Sequence, residues 1–364
     1  MKRILSFAVL AAGSLAAQPL VFTTQTISAG NSPISLRLAD FNGDKKTDIV
    51  VVNSGGSDTV SVLLNEGGGS FSAPLATLTG GLGGIALASA DYNHDGKADL
   101  AVVNNLSNNV SILLGNGDGT FRLGSYASVG DGPVSIAEAD FNRDGNTDLA
   151  VVNSLTGNVT ILLGKRDGTF RPGTKIFVGS APTGITTGDF NGDGIPDFAV
   201  ANGTLGQEFV YIFLGNGDGT FQNGEIASVG NEPFALAAYD FNHDGKTDLA
   251  VANLASNNVS VLVGNGNGTF QPKVNYIAGN GPVSIRVGSF NGDGNADLAI
   301  CADVSAEVLV FLGNGDATFQ TPQSFSTGAF CNSLAVGDLN QDGTTDIVAA
   351  TTDSVVVLMN GGSN

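Results

Sequence analysis

Seven short loops carry the residues in this chain that could do chemistry. Each is nine residues long, has oxygen-bearing side chains at its first, third, fifth and ninth positions, and runs straight into an apolar stretch. The third is Asp140-Phe141-Asn142-Arg143-Asp144-Gly145-Asn146-Thr147-Asp148. Hard divalent cations prefer six to eight oxygen ligands, and alternate positions of a short loop can supply them. Here Asp140, Asn142, Asp144 and Asp148 would give side-chain oxygens and Asn146 its backbone carbonyl, while Gly145 permits a left-handed turn. The same five positions are Asp40, Asn42, Asp44, Lys46 and Asp48 in the first loop, and Asp91, Asn93, Asp95, Lys97 and Asp99 in the second. They are Asp189, Asn191, Asp193, Ile195 and Asp197 in the fourth, and Asp240, Asn242, Asp244, Lys246 and Asp248 in the fifth. The sixth has Ser289, Asn291, Asp293, Asn295 and Asp297, and the seventh Asp338, Asn340, Asp342, Thr344 and Asp346.

Calcium suits this donor set better than magnesium, which gives up its water reluctantly and seldom occupies all-protein cages. Zinc or copper would want imidazole or thiolate, and the two histidines, His94 and His243, fall at variable loop positions. An EF-hand needs glutamate at position 12, where this chain has Val51, Val102, Val151, Val200, Val251, Ile300 and Ala349. Two loops depart from the pattern. Ser289 removes a carboxylate from the sixth, and Lys45 stands in the first where the others have glycine. These two are expected to bind a cation most weakly.

The loops begin at residues 40, 91, 140, 189, 240, 289 and 338, a spacing of 49 or 51, so one supersecondary unit is copied in series. In the third repeat four strands are expected at about 134–139, 149–153, 159–163 and 175–178. The acidic loop joins the first two, and a glycine-rich turn ending in phenylalanine joins the last two. The second and third strands are continuously apolar, as in Leu149-Ala150-Val151-Val152, so both their faces are covered. The first strands are rich in small residues such as Ala137, Ala139, Ala237 and Gly188, which suits crowding near an axis. The prediction is all-β: a seven-bladed β-propeller of four-stranded antiparallel blades, with repeats starting near 33, 84, 133, 182, 233, 282 and 331. The last unit has only three strands, and Phe22–Ser28 is expected to supply the fourth. Left unpaired, both edges would be aggregation templates.

Residues 1–17 read as a signal peptide: Lys2 and Arg3, an apolar run too short to span a bilayer, then small residues at Ser14, Ala16 and Ala17. Residues 18–364 then form one exported, monomeric propeller domain of bacterial type with no membrane span. The net charge of −19 is concentrated, since 20 of the 34 acidic residues sit in the seven loops. Seven divalent cations would bring it to about −5. There is no basic stripe for nucleic acid. Cys301 and Cys331 should lie toward one face, either as a disulfide or as two buried thiols.

The loop D-x-N-x-D-G-x-x-D, the turn G-D-G-T-F and entries such as Gly179-Ser180-Ala181-Pro182 resemble FG-GAP/VCBS repeats over about residues 22–364. Those repeats build the seven-bladed head of integrin α subunits and many secreted bacterial proteins. The resemblance implies calcium in the loops between inner strands and partner binding on the opposite face. No metal-dependent adhesion domain is inserted, so integrin-like ligand recognition does not carry over.

On that opposite face lie the connections between second and third strands, whose lengths vary, and variable loops on a rigid scaffold are where binding is usually placed. The expected role is a non-catalytic binding or adhesion module for an extracellular protein or glycan. The alternative is a lectin or a carbohydrate-active lyase or hydrolase on the same scaffold. Against the alternative, there is no Trp, and 11 of the 21 Phe occupy two repeat slots, where they read as core. Arg37, Glu138 and Arg286 fall near the ends of first strands and could approach a central channel.

Overall fold

The computed structural model describes residues 19–222 and 225–361. The leader assigned to residues 1–17 lies outside the described residues. Seven antiparallel sheets follow one another, with inner strands at Pro33–Ala39, Gly84–Ala90, Pro133–Ala139, Pro182–Gly188, Pro233–Tyr239, Pro282–Gly288 and Cys331–Gly337. Each inner strand touches the next, and the first touches the seventh, so the sheets close into a ring around a channel. The chain is a seven-bladed β-propeller.

In the third blade the strands are Pro133–Ala139, Asp148–Asn153, Asn158–Gly164 and Phe170–Phe177. The outer strand starts five residues earlier than sequence suggests. Phe170 pairs with Gly164 directly across the turn, and a bulge near Pro172-Gly173 carries the pairing on to Phe177. The alternation of such an edge strand is masked in sequence by that extra residue. In the fourth blade the outer strand is split into Phe221–Gln222 and Ile226–Ser228.

Closure follows the expected register. Phe22–Ile27 pairs antiparallel with Val355–Asn360, from Phe22 opposite Asn360 to Ile27 opposite Val355. The N-terminal strand thereby completes the last blade and leaves neither end as a bare edge. A Cys301–Cys331 disulfide joins the second strand of blade six to the inner strand of blade seven, beside that closure. A cross-link over 30 residues constrains the unfolded chain by about 3–4 kcal/mol.

The core lies between blades. The second strands are fully buried along their length, as their continuous apolar runs require. At the seams, the aromatic residue of one loop packs edge-on against the turn phenylalanine of the next blade. The pairs are Phe41–Phe121, Tyr92–Phe170, Phe141–Phe221, Phe190–Phe270 and Phe241–Phe319, with centroids 5.4–5.8 Å apart. Phe290 instead meets Phe22 at 6.4 Å, so the closing strand supplies the aromatic missing from blade seven. Seven of the repeat phenylalanines are buried core, as expected, and Phe71, Phe170, Phe221 and Phe270 are half-buried against it.

One feature is common to all seven inner strands. Pairing skips the second residue of each, giving a bulge at Ile34, Ile85, Val134, Thr183, Phe234, Val283 and Asn332. Bulges re-aim side chains, and these seven line the mouth of the channel.

Candidate functional site: the acidic loops and the two faces of the ring

Each acidic loop is a tight turn held by its own carboxylates. In the third, Asp140 Oδ1 accepts the amide of Asp144 at 3.1 Å and Oδ2 that of Gly145 at 2.9 Å. Asn142 Oδ1 accepts the same Asp144 amide at 2.9 Å, and its Nδ2 donates to Asp144 Oδ2 at 3.0 Å. Asp144 Oδ1 accepts the Asn146 amide at 2.9 Å. The first, third and fifth side chains are therefore gathered over one patch of backbone. The sixth loop lacks this closure at its start: Ser289 accepts none of these bonds, and Asp293 N is held by Asn291 alone at 3.1 Å.

The ninth residue behaves differently. Asp148 is fully buried. Its Oδ2 accepts the Phe141 amide at 3.0 Å and its Oδ1 the Gly164 amide, at the end of the third strand, at 2.7 Å. Every repeat keeps the pattern. The second-position amide lies 2.7–3.0 Å from one oxygen. The amide closing the third strand lies 2.7–2.8 Å from the other. Burial pushes these carboxyls up, to about 6 for Asp99, Asp148, Asp197 and Asp297. The fifth and, in most loops, the first carboxylates stand close enough to raise them further.

Among the described residues no three His, Cys, Asp or Glu side chains are gathered as a metal-holding group. Within six of the loops the side chains at positions one, three and five converge, and in all seven the ninth sits beneath on amides. The donor chemistry itself fits a hard cation: six loops offer three carboxylates, one carboxamide and a carbonyl, with no nitrogen or sulfur ligand. In the first and fifth loops an ammonium already occupies one acceptor. Lys46 Nζ lies 2.9 Å from Asp44 Oδ2, and Lys246 Nζ 3.4 Å from Asp244 Oδ2.

Backbone strain adds to the first loop. Lys45 has φ +67°, where the other six loops have glycine. Replacing it with glycine is expected to stabilise the fold by roughly 0.5–1 kcal/mol, the left-handed penalty less the added freedom of the unfolded chain. Equilibrium urea unfolding of Lys45→Gly measures this, and a loss of stability would contradict it. Position four is left-handed too, at His94, Arg143, His243 and Gln341, with φ between +57° and +63°. Sequence reasoning missed this because the residue type varies there. His94 Nε2 reaches Asn146 Oδ1 of the neighbouring loop at 3.1 Å.

Loops and glycine-rich turns share one face. Gly119 N donates to Phe41 O at 3.0 Å, Gly219 N to Phe141 O at 3.1 Å and Gly268 N to Phe190 O at 2.8 Å, so each of these loops is tied to the next blade's turn. The opposite face carries the connections between second and third strands. Three consecutive blades, the second to the fourth, carry exposed apolar tips there, Leu106 at 74%, Leu155 at 80% and Leu205 at 73%, and the sixth carries Val304 at 63%. Beneath them the backbone is pinned to the entry of the inner strand, as by Ser154 N to Gly132 O at 2.8 Å. The end of each second strand up to blade five carries a buried asparagine, Asn53, Asn104, Asn153, Asn202 and Asn253. Asn153 Oδ1 accepts Gly130 N at 3.0 Å. These asparagines were invisible as a function class because they look like ordinary turn residues.

The ring and its seven acidic hairpin loops define a closed β-propeller of repeated units. The chain belongs to the FG-GAP-like repeat family, whose model matches residues 40–102, 91–151, 140–200, 189–251, 240–300 and 290–349. No curated protein matches it in sequence. Among solved structures it is similar to BBS1N, crystallised in complex with ARL6DN, at TM-score 0.67 and 14% identity over 94% of this chain and 98% of that one. It is also similar to a catalytically inactive virginiamycin B lyase from Staphylococcus aureus with quinupristin, at TM-score 0.62 and 15% identity over 93% and 99%. A protein of unknown function from Desulfotomaculum acetoxidans matches at TM-score 0.56 and 17% identity over 82% and 90%. At these identities the likeness is one of fold. Among the described residues no helix is long and apolar enough to cross a membrane.

Proposed function

We propose that this chain is an exported, calcium-stabilised binding module that docks an extracellular protein on the face opposite its acidic loops. The observation that carries the docking face is the crescent of exposed aliphatic tips Leu106, Leu155 and Leu205 on pinned backbone in blades two to four, with Val304 two blades further on. Aliphatic side chains held out on rigid loops suit an apolar protein surface. A glycan would favour aromatic platforms, and the repeat aromatics are spent on the seams between blades. BBS1N, of the same fold, is crystallised with a protein partner, which is compatible with such use. Calcium at the loops is supported by seven copies of an oxygen-only donor set and by the amount of negative charge they concentrate.

The test replaces Leu106, Leu155 and Leu205 together with Asp and measures adhesion of labelled protein to the exterior of its source cells in calcium buffer. At least tenfold weaker adhesion is expected with an unchanged melting temperature, since all three side chains are already in water. Equal adhesion by the folded variant would overturn the docking face.

A further inference from the structure

The central channel holds two cations that the repeat pattern does not require. At the fifth residue of the inner strand, five blades carry Ala or Thr (Ala88, Ala137, Thr186, Ala237, Ala335), and blades one and six carry Arg37 and Arg286. The small residues leave room at that level, and both guanidiniums line it. The same two line the floor of a vestibule of about 540 Å3 that opens on the apolar-tipped face. Its walls include the bulged residues Ile34, Ile85, Val134, Phe234 and Val283. Below the guanidiniums a smaller chamber of about 250 Å3 contains Glu138.

Asp303 also lines the vestibule but interacts with neither guanidinium, so Glu138 is the one carboxylate close to the pair. Glu138 interacts with Arg37 and is bonded by the Tyr92 hydroxyl at 3.4 Å. Among the described residues Arg286 has no carboxylate partner. Its one hydrogen bond among the described residues runs from Nη1 to the backbone oxygen of Ile285 at 2.7 Å, leaving most of its five N–H donors open to the channel. Desolvation first, and then the neighbouring Arg37, depress Arg286 to about 9. An enclosed guanidinium with free donors at the end of an apolar-walled cavity is a receptor for a carboxylate, which it can grip through two parallel hydrogen bonds.

We propose that the channel is a binding site for a small organic carboxylate, its anionic end on Arg286 and Arg37 and its apolar body against the ring of bulged residues. The site is independent of calcium at the loops and of the docking face.

Benzoate and inorganic phosphate, titrated calorimetrically into the calcium-loaded protein, test it. Benzoate is expected to bind one to one with a dissociation constant of about 1 mM or tighter, and more tightly than phosphate, which has no apolar body. Arg286→Gln should weaken benzoate at least tenfold, the loss of a charge-assisted pair. Glu138→Gln should strengthen it severalfold by removing the carboxylate that competes for Arg37, an effect that mere packing would not produce. It also keeps the proposal falsifiable should Arg286→Gln fail to fold. Absence of one-to-one benzoate binding, phosphate binding as tightly as benzoate, or folded variants that leave the affinity unchanged would each overturn the proposal.

Discussion

Asp148→Ala is expected to destabilise the protein by about 3–5 kcal/mol, with or without divalent cation. The carboxylate is fully buried and satisfies two buried amides, Phe141 N at 3.0 Å and Gly164 N at 2.7 Å. Alanine leaves both donors without partners, at about 1–3 kcal/mol each, and opens a void. Asp148→Asn keeps the volume but turns an NH2 toward one of those donors, so it should fall between wild type and alanine. Asp140→Ala is the informative contrast. Its oxygens accept amides on the exposed rim of the loop, which water can satisfy. In excess chelator that variant should unfold within about 1 kcal/mol of wild type, yet lose part of any stabilisation calcium confers. Urea unfolding of both variants, with chelator and with calcium, reads the difference. Equal losses for Asp140 and Asp148 in chelator would show that the ninth carboxylate has no separate structural role.

Calcium itself should have the larger effect on the melting temperature, raising it by an amount that depends on pH. At free calcium 100 times its dissociation constant each occupied loop adds about 2.7 kcal/mol. Three such loops would raise the melt of a chain this size by roughly 10 °C. Without metal, the ninth-position carboxyls of Asp99, Asp148, Asp197 and Asp297 stand at about 6 when folded, against an ordinary 3.8. The folded chain then holds more protons than the unfolded one between those values. Their contribution is fully present below 3.8 and is lost as pH rises through 6. Asp44, Asp144, Asp244 and Asp342 are held below 3.8 instead, chiefly by hydrogen bonds within the loops. Their contribution is lost only in stronger acid, so the two sets act in separate windows. In chelator, the melting temperature should therefore rise by several degrees from pH 7.5 to pH 4.5. The gain from calcium should be greatest at pH 7.5, where no proton competes with it. Calorimetric melts at both pH values, with and without calcium, check this. An identical melt in chelator and in calcium at neutral pH would remove the metal from the account of the fold.

Most of the architecture was legible because it is encoded locally and repeated. The loop spacing counts the blades, the apolar second strand Leu149–Val152 announces burial on both faces, and the three-stranded last unit requires a partner such as Phe22–Ile27. The boundary errors have one cause. Edge strands such as Phe170–Phe177 begin inside the turn and carry a bulge, so their sequence does not alternate.

The sequence by itself determined the ring, the oxygen-bearing side chains at positions one, three, five and nine of each loop, and the packing of the repeat phenylalanines against the core. Tertiary structure alone decided how those donors are used. Asp148 resembles Asp140 in sequence, yet one carboxylate spans an interior gap to Gly164 while the other rims a solvent-exposed turn. Structure also chose between a disulfide and two free thiols for Cys301 and Cys331. Arg37, Glu138 and Arg286 come from blades one, three and six and meet only because the ring closes. A local pattern reports which residues a segment buries; the partners of a buried charge come from distant segments, and only the folded chain brings them together.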